Sequence, residues 1–176
     1  MNFDINLFNF IFELGQKIGA NWFYEFLATY LIYVVVMIFL FFLLKEKDLR
    51  EKVYVFLFSL LLLVISRGLF TGIIRFIFPK QRPFAQLDFA PLISNSGFAD
   101  ALPSGHVVFV FSLAFCVFLL NKKWGWICLG LAILVSLGRI LVGVHWPMDV
   151  LVGFVVSGVS YWGLKKVIGS LQKVTQ

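Results

Sequence analysis

Long apolar runs alternate with short polar interruptions along this chain. Five stretches approach or meet the roughly 20 apolar residues that a bilayer-spanning helix needs. They are Trp22–Leu44, Val53–Phe78, Pro103–Leu120, Trp124–Val142 and Pro147–Ile168. The first 19 residues follow another pattern. Their apolar run, Phe3–Leu14, is broken by Asp4, Asn6, Asn9 and Glu13, so it is too short and too polar to cross. It also lacks the leading positive charge of a signal peptide, because the first lysine is Lys17. This segment reads as an amphipathic helix lying at the interface, with a packed sixth helix as the alternative. The predicted fold is all-α: a polytopic membrane helical bundle of five spanning helices plus an N-terminal interfacial, or sixth, helix. One integral-membrane domain is expected over residues 1–176, with an amphipathic segment at 1–19, a helical core at 20–168 and a cytoplasmic tail at 169–176.

Composition agrees and narrows the class. Of 176 residues, 61% are hydrophobic and 14% charged, against roughly 25% charged in ordinary soluble domains; the mean hydropathy is +0.95. There is too little polar surface for a soluble globule or a disordered chain. The net charge of +6 suggests nucleic acid, but the basic residues cluster at membrane borders, which excludes it as a partner. Lys45–Lys52 (KEKDLREK) carries four of them, Lys122 and Lys123 two, and the C-terminal part three, at Lys165, Lys166 and Lys173. If five helices alternate in direction, these nine fall on one side. The positive-inside rule then makes the C-terminus cytoplasmic and turns the N-terminus outward. Cys116 and Cys128 lie in apolar runs and read as packing residues.

Polar residues in apolar surroundings carry the chemistry. An arginine near a helix centre costs about 2.5–3.5 kcal/mol on insertion scales, yet Arg67, Arg75 and Arg139 lie within or at the ends of apolar runs. Snorkelling to the headgroups is the plain explanation. Arg67 and Arg75, eight residues apart with Thr71 between them, fall on nearly one helical face. Arg67 therefore either lines the same cavity or pairs with a carboxylate such as Glu25. At the predicted outer helix ends three clusters converge: Arg75 to Pro83, Pro103-Ser104-Gly105-His106, and Gly138-Arg139 with His145-Trp-Pro-Met-Asp149. Both histidines of the chain are among them.

Arg75, Arg82 and Arg139 offer planar, bidentate donors to a polyanion. Ser104 and Gly105 precede a helix, whose first amides can face an anion. Neutral imidazole can act as a nucleophile and protonated imidazole as a general acid. His145 and Asp149 stand four apart, so one helical turn can bring carboxylate to ring. A metal site fits this set poorly, because three guanidinium groups repel a divalent cation and no further ligands complete a shell.

These residues resemble the type 2 phosphatidic acid phosphatase superfamily, integral-membrane lipid phosphate phosphatases related to vanadium haloperoxidases. The family motifs Lys-x6-Arg-Pro, Pro-Ser-Gly-His and Ser-Arg-x5-His-x3-Asp read here as Arg75-x6-Arg82-Pro83, Pro103-Ser104-Gly105-His106 and Gly138-Arg139-x5-His145-x3-Asp149. The resemblance spans about residues 53–168, with order and spacing intact. Arg75 replaces a lysine and keeps the charge. Gly138 replaces a frequent serine, so one hydroxyl contact is absent, and Ser136 is two residues off. The family usually has six spans; here the first is reduced to the N-terminal segment.

The resemblance implies that His145 attacks phosphorus and forms a phosphohistidine, while Asp149 holds its ring. It implies that His106 protonates the leaving oxygen and then helps activate water. Arg75, Arg82, Ser104, Gly105 and Arg139 are the implied phosphate-binding residues. No metal or cofactor is implied. The expected partners are the bilayer and a membrane lipid phosphate. The expected location is a bacterial inner (plasma) membrane, with the site facing the periplasm or exterior. Undecaprenyl diphosphate leads as substrate, followed by phosphatidylglycerophosphate and the 1-phosphate of lipid A. Phosphotransfer to a second lipid and a non-enzymatic lipid or phosphate carrier are the competing functions. The Phe84–Leu102 connection is expected to fold over or beside the site. Its Leu87, Phe89, Leu92 and Phe98 either rest at the interface or pack as buried groups.

Overall fold

The computed structural model describes residues 2–93 and 100–174, all-helical with no strand among them. Helix α1 is Asn2–Ile18. Helix α2 is Asn21–Lys45 and α3 is Leu49–Ile77, each continuous through a π-helical segment, at Phe26–Tyr30 and Val64–Phe70 respectively. A short α4, Pro83–Gln86, is followed by α5 (Gly105–Leu120), α6 (Lys122–Leu141) and α7 (Pro147–Val174).

Local chemistry sets several of these boundaries. The Asp48 carboxylate accepts from Arg50 N at 2.8 Å, and the Asn121 side chain accepts from Trp124 N at 3.1 Å. Each satisfies one of the amides that a helix start leaves unpaired. Pro83 and Pro147 stand at first helical positions, where a missing N–H costs nothing. Gly19, at φ +70°, turns the chain out of α1.

Four helices among the described residues are long and apolar enough to cross a membrane: α2, α3, α6 and α7 through Ser170. The fifth expected span, α5, has only 16 residues, about 24 Å at 1.5 Å per residue. It begins after the Pro103–Ser104 corner, with Ser104 at its N-cap position. It is also the central helix. Val107, Val108, Val110, Phe111, Ala114 and Val117 are buried in it, in contact with α2, α3, α6 and α7. Its polar atoms are paired: Ser112 Oγ lies 3.0 Å from Ser66 Oγ, and Ser157 Oγ donates to Val108 O at 2.9 Å. Both cysteines are buried in the same core with free thiols. Large apolar side chains such as Phe76, Trp22 and Leu44 point outward, as a lipid-facing surface requires.

Helix α1 is amphipathic, its apolar run interrupted by Asp4, Asn6, Asn9 and Glu13, and it is not among the helices long and apolar enough to cross a membrane. It lies against α6 and α7. Phe8 is fully buried, stacked on Phe12 at 5.3 Å and edge-on to Trp146 at 5.1 Å, while Phe3 and Phe10 remain exposed.

Candidate active site

The three clusters meet at one end of the bundle and hold each other there. Arg75 sits in the last turn of α3 and donates from Nη2 to Pro103 O at 3.2 Å. Ala101 N donates to Lys80 O at 2.8 Å. Trp146 Nε1 donates to Gln81 O at 2.8 Å, and Ser104 N donates to Asp149 O at 3.1 Å. Each bond joins two clusters that are distant in the chain.

Ser104 takes the N-cap position of α5, but its side chain caps no amide. Its Oγ is buried and has no hydrogen-bond partner among the described residues; the same holds for Nε of Arg75 and of Arg139. Buried polar atoms are rarely left unsatisfied, so these donors, with the first-turn amides of α5, suit an incoming anion. Gly105 lets another cation approach: a Cβ there would lie 2.7 Å from the Arg67 guanidinium. Arg67 thus lies beside the α5 start, and no ion pair joins it to Glu25 among the described residues.

Arg139 ends α6, 4% exposed, and donates from Nη1 to Ala28 O at 3.4 Å. Gly138 makes that approach possible. A Cβ on it would lie 2.7 Å from Ala28 N and 2.9 Å from Leu27 C, both backbone atoms. The absent serine of the third motif is therefore explained by packing against the π-helical segment of α2. Beyond Arg139 the chain turns at Gly143, whose φ of +82° suits glycine, and reaches His145.

His145 is 1% exposed and Asp149 fully buried. Asp149 Oδ2 accepts from Trp146 N at 2.8 Å and lies 3.4 Å from His145 Nδ1. That distance puts the ring and carboxylate in contact just short of hydrogen-bonding geometry, a gap of the kind that closes when substrate binds. Burial pushes the His145 imidazole down to about 4; Asp149 opposes this, and Arg139 and Arg82 add to it. Burial, then the neighbouring Arg75, lower Arg82 from its ordinary value, with Asp149 opposing. His106, at the second position of α5, is exposed, and His145, Arg139, Arg67 and Arg82 all lie within electrostatic range of it. The two imidazoles therefore share one site.

A cavity of about 490 Å³ opens at this place, lined by Glu25, Thr29, Tyr30, Leu92, Ile93, His106 and Arg139. Of the eight residues singled out from sequence, His106 and Arg139 line it; Arg75, Ser104, His145 and Asp149 are joined by the contacts just described, Arg82 lies within electrostatic range of both histidines, and Gly105 stands beside Arg67. Of the connection after α4, Leu92 and Ile93 line the cavity. Leu92 donates from its backbone N to Val142 O at 3.1 Å, and Phe89 packs 5.0 Å from Phe12, whereas Phe98 lies outside the described residues. Sequence reasoning missed Glu25, Thr29 and Tyr30 as lining residues, although an acid inside an apolar run was a signal for the first. It also missed Lys80 and Asp4. Lys80 Nζ lies 2.8 Å from Asp4 Oδ2 and 2.9 Å from Asp149 Oδ1.

Comparison with known proteins identifies the family. The sequence model of the PAP2 superfamily matches residues 56–172. The chain is 30% identical over 159 residues to the bacitracin transport permease protein BcrC of Bacillus licheniformis, covering 89% of this chain and 76% of that protein. It is 34% identical over 106 residues to the undecaprenyl-diphosphatase of Sulfolobus acidocaldarius, covering 58% of this chain but only 51% of that one. The crystal structure of Aquifex aeolicus LpxE superposes with a TM-score of 0.66 at 21% identity, covering 92% of this chain and 94% of that chain. At that identity the likeness is one of fold.

Proposed function

The chain belongs to the PAP2 superfamily and is a membrane lipid phosphatase; on that premise we propose that it hydrolyses a lipid diphosphate through a phosphohistidine on His145. One observation carries the reading: both histidines, Asp149 and three arginines from separate helix ends gather at one end of the bundle. Simple anion binding needs the arginines but not the two imidazoles and the carboxylate.

The chemistry follows from the placement. Arg75, Arg82, Arg139, the Ser104 hydroxyl and the amides at Gly105 hold the phosphoryl oxygens and stabilise charge as it develops. Neutral His145 attacks phosphorus with Nε2; a P–N bond forms as the P–O bond to the leaving group breaks. His106 gives its proton to the leaving oxygen. Asp149, at Nδ1, stabilises the cationic phosphorylated ring. His106 then takes a proton from water, the oxygen attacks phosphorus, the P–N bond breaks and phosphate leaves. No step uses a metal or cofactor.

Undecaprenyl diphosphate is the proposed substrate, because a relative at 34% identity carries the name undecaprenyl-diphosphatase. The proposed topology keeps five spans, counting α5, with the site on the outer face of a bacterial plasma membrane and the C-terminus in the cytoplasm. Support comes from the nine lysines and arginines of the α2–α3 and α5–α6 connections and the C-terminal part, away from the site. A headgroup phosphate then meets the cavity at the membrane plane, and its tail stays in lipid.

The test is phosphate release in detergent and EDTA from undecaprenyl diphosphate, phosphatidylglycerophosphate and lipid A 1-phosphate side by side. The first should turn over fastest, and His145→Ala should abolish release. Faster release from either other lipid reassigns the substrate. Phosphate found on an added acceptor lipid makes the protein a phosphotransferase, and transport with no hydrolysis makes it a carrier.

A further inference from the structure

Asp149 has two carboxylate oxygens and both are engaged. Oδ2 takes the Trp146 amide and faces His145, while Oδ1 takes Lys80 Nζ at 2.9 Å. Lys80 lies inside the first motif, between Arg75 and Arg82, at a position that motif leaves open. Its ammonium is only partly exposed, lies 5.5 Å over the Trp146 ring, and reaches Asp4 Oδ2 on α1 at 2.8 Å. The other Asp4 oxygen accepts from Met148 N at 3.0 Å, one of the amides left unpaired at the start of α7. The N-terminal helix is thereby fastened to the turn that carries Asp149. The buried Phe8 against Trp146 fastens it again.

We propose that Lys80 is a positioning residue for the nucleophile: it fixes the rotation of the Asp149 carboxylate toward His145, and Asp4 of the N-terminal helix holds Lys80 in place. Its catalytic consequence rests on the phosphohistidine reading above; its electrostatic consequence does not. The charged or titratable groups facing His145 are Asp149 from α7, Arg139 from α6, Arg82 from the loop before α4 and His106 from α5. Arg75, Lys80 and Asp4 stand one layer out. Removing the Lys80 cation leaves Asp149 uncompensated beside the ring and favours the imidazolium. Removing the Asp4 anion commits Lys80 wholly to Asp149 and disfavours it. The two changes act with opposite sign, whereas loss of packing has no reason to.

The chain has two histidines, so NMR titration of isotope-labelled imidazoles in nanodiscs reads His145 directly, with His106→Asn assigning the signals. Lys80→Met should raise the His145 pKa by about one unit or more. Asp4→Asn should lower it by less, and Lys80→Arg should hold it near the parent value. In turnover, Lys80→Met should lose about 10–100-fold in kcat with KM nearly unchanged, and Lys80→Arg should recover most of that loss. An unmoved His145 pKa in folded Lys80→Met overturns the proposal, as do shifts of the same sign in both variants. Should Lys80→Met fail to fold, Asp4→Asn decides alone, and no downward shift overturns the proposal. Variants that show these pKa shifts in a protein whose parent hydrolyses no lipid phosphate sink the phosphatase reading and leave the positioning role standing.

Discussion

Replacing Gly138 by serine restores the residue that the third motif often carries, and the structure predicts that it harms this protein. The added Cβ would sit 2.7 Å from Ala28 N, 2.8 Å from Leu27 Cβ and 2.9 Å from Leu27 C. Ordinary carbon contacts lie near 3.5–4.0 Å, so α6 and the π-helical segment of α2 must separate by roughly 1 Å. Two of the three obstructing atoms are backbone, so no rotamer change relieves the clash. Overpacking of this kind costs about 1–3 kcal/mol, or about 2–12 °C in Tm for a chain of this size. The same separation pulls Ala28 O away from Arg139 Nη1, a bond already 3.4 Å long, and a misplacement near 1 Å costs up to about 100-fold in rate. Thermal unfolding in detergent reads the first effect and kcat/KM on undecaprenyl diphosphate the second. Gly138→Ala should show the same loss, because the Cβ causes it. A Gly138→Ser protein as stable and as active as the parent would refute the packing explanation.

Arg139→Lys keeps the charge but loses the planar fork; kcat/KM should fall about 100-fold, and equal activity would show that the fork is not used. Phe8→Ala removes a fully buried ring between α1 and Trp146; it should cost about 3–5 kcal/mol and lower Tm, and an unchanged melt would mean that α1 is not docked. The acid limb of kcat/KM should inflect near pH 4, where burial places the His145 imidazole, with no loss from this group between pH 7 and 5; an inflection near 6.5 would contradict the burial. The sign for stability follows from the same shift. His145 titrates lower folded than its ordinary 6.5, so its contribution is complete above about 6.5 and is lost as pH falls toward 4.

The helix layout was legible because apolar runs of spanning length and basic breaks leave few alternatives. The start of α7 was legible at Pro147, whereas α6 starts at Lys122, two residues before the expected Trp124, because Asn121 caps it. The candidate site residues stood out because an arginine or histidine at the end of an apolar run has little reason to be there unless a partner or ligand requires it. What escaped notice depends on the third dimension. The π-helical segments at Phe26–Tyr30 and Val64–Phe70 leave no periodicity to read, yet they place Thr29 and Tyr30 at the cavity and Arg67 beside Gly105. Gly138 looked like a missing hydroxyl because its backbone neighbour lies some 110 positions away. Asp4 looked like a polar break in a surface helix, because its partners Lys80 and Met148 are distant in sequence.

The most direct test of the central claim is covalent. Rapid acid-free quenching of the protein during turnover of a phosphorus-labelled lipid diphosphate, followed by peptide mapping, should find the label on His145 as an acid-labile, base-stable phosphoramidate. It should be absent in His145→Ala. Steady hydrolysis with no label at His145, or with label on another residue, would contradict the account.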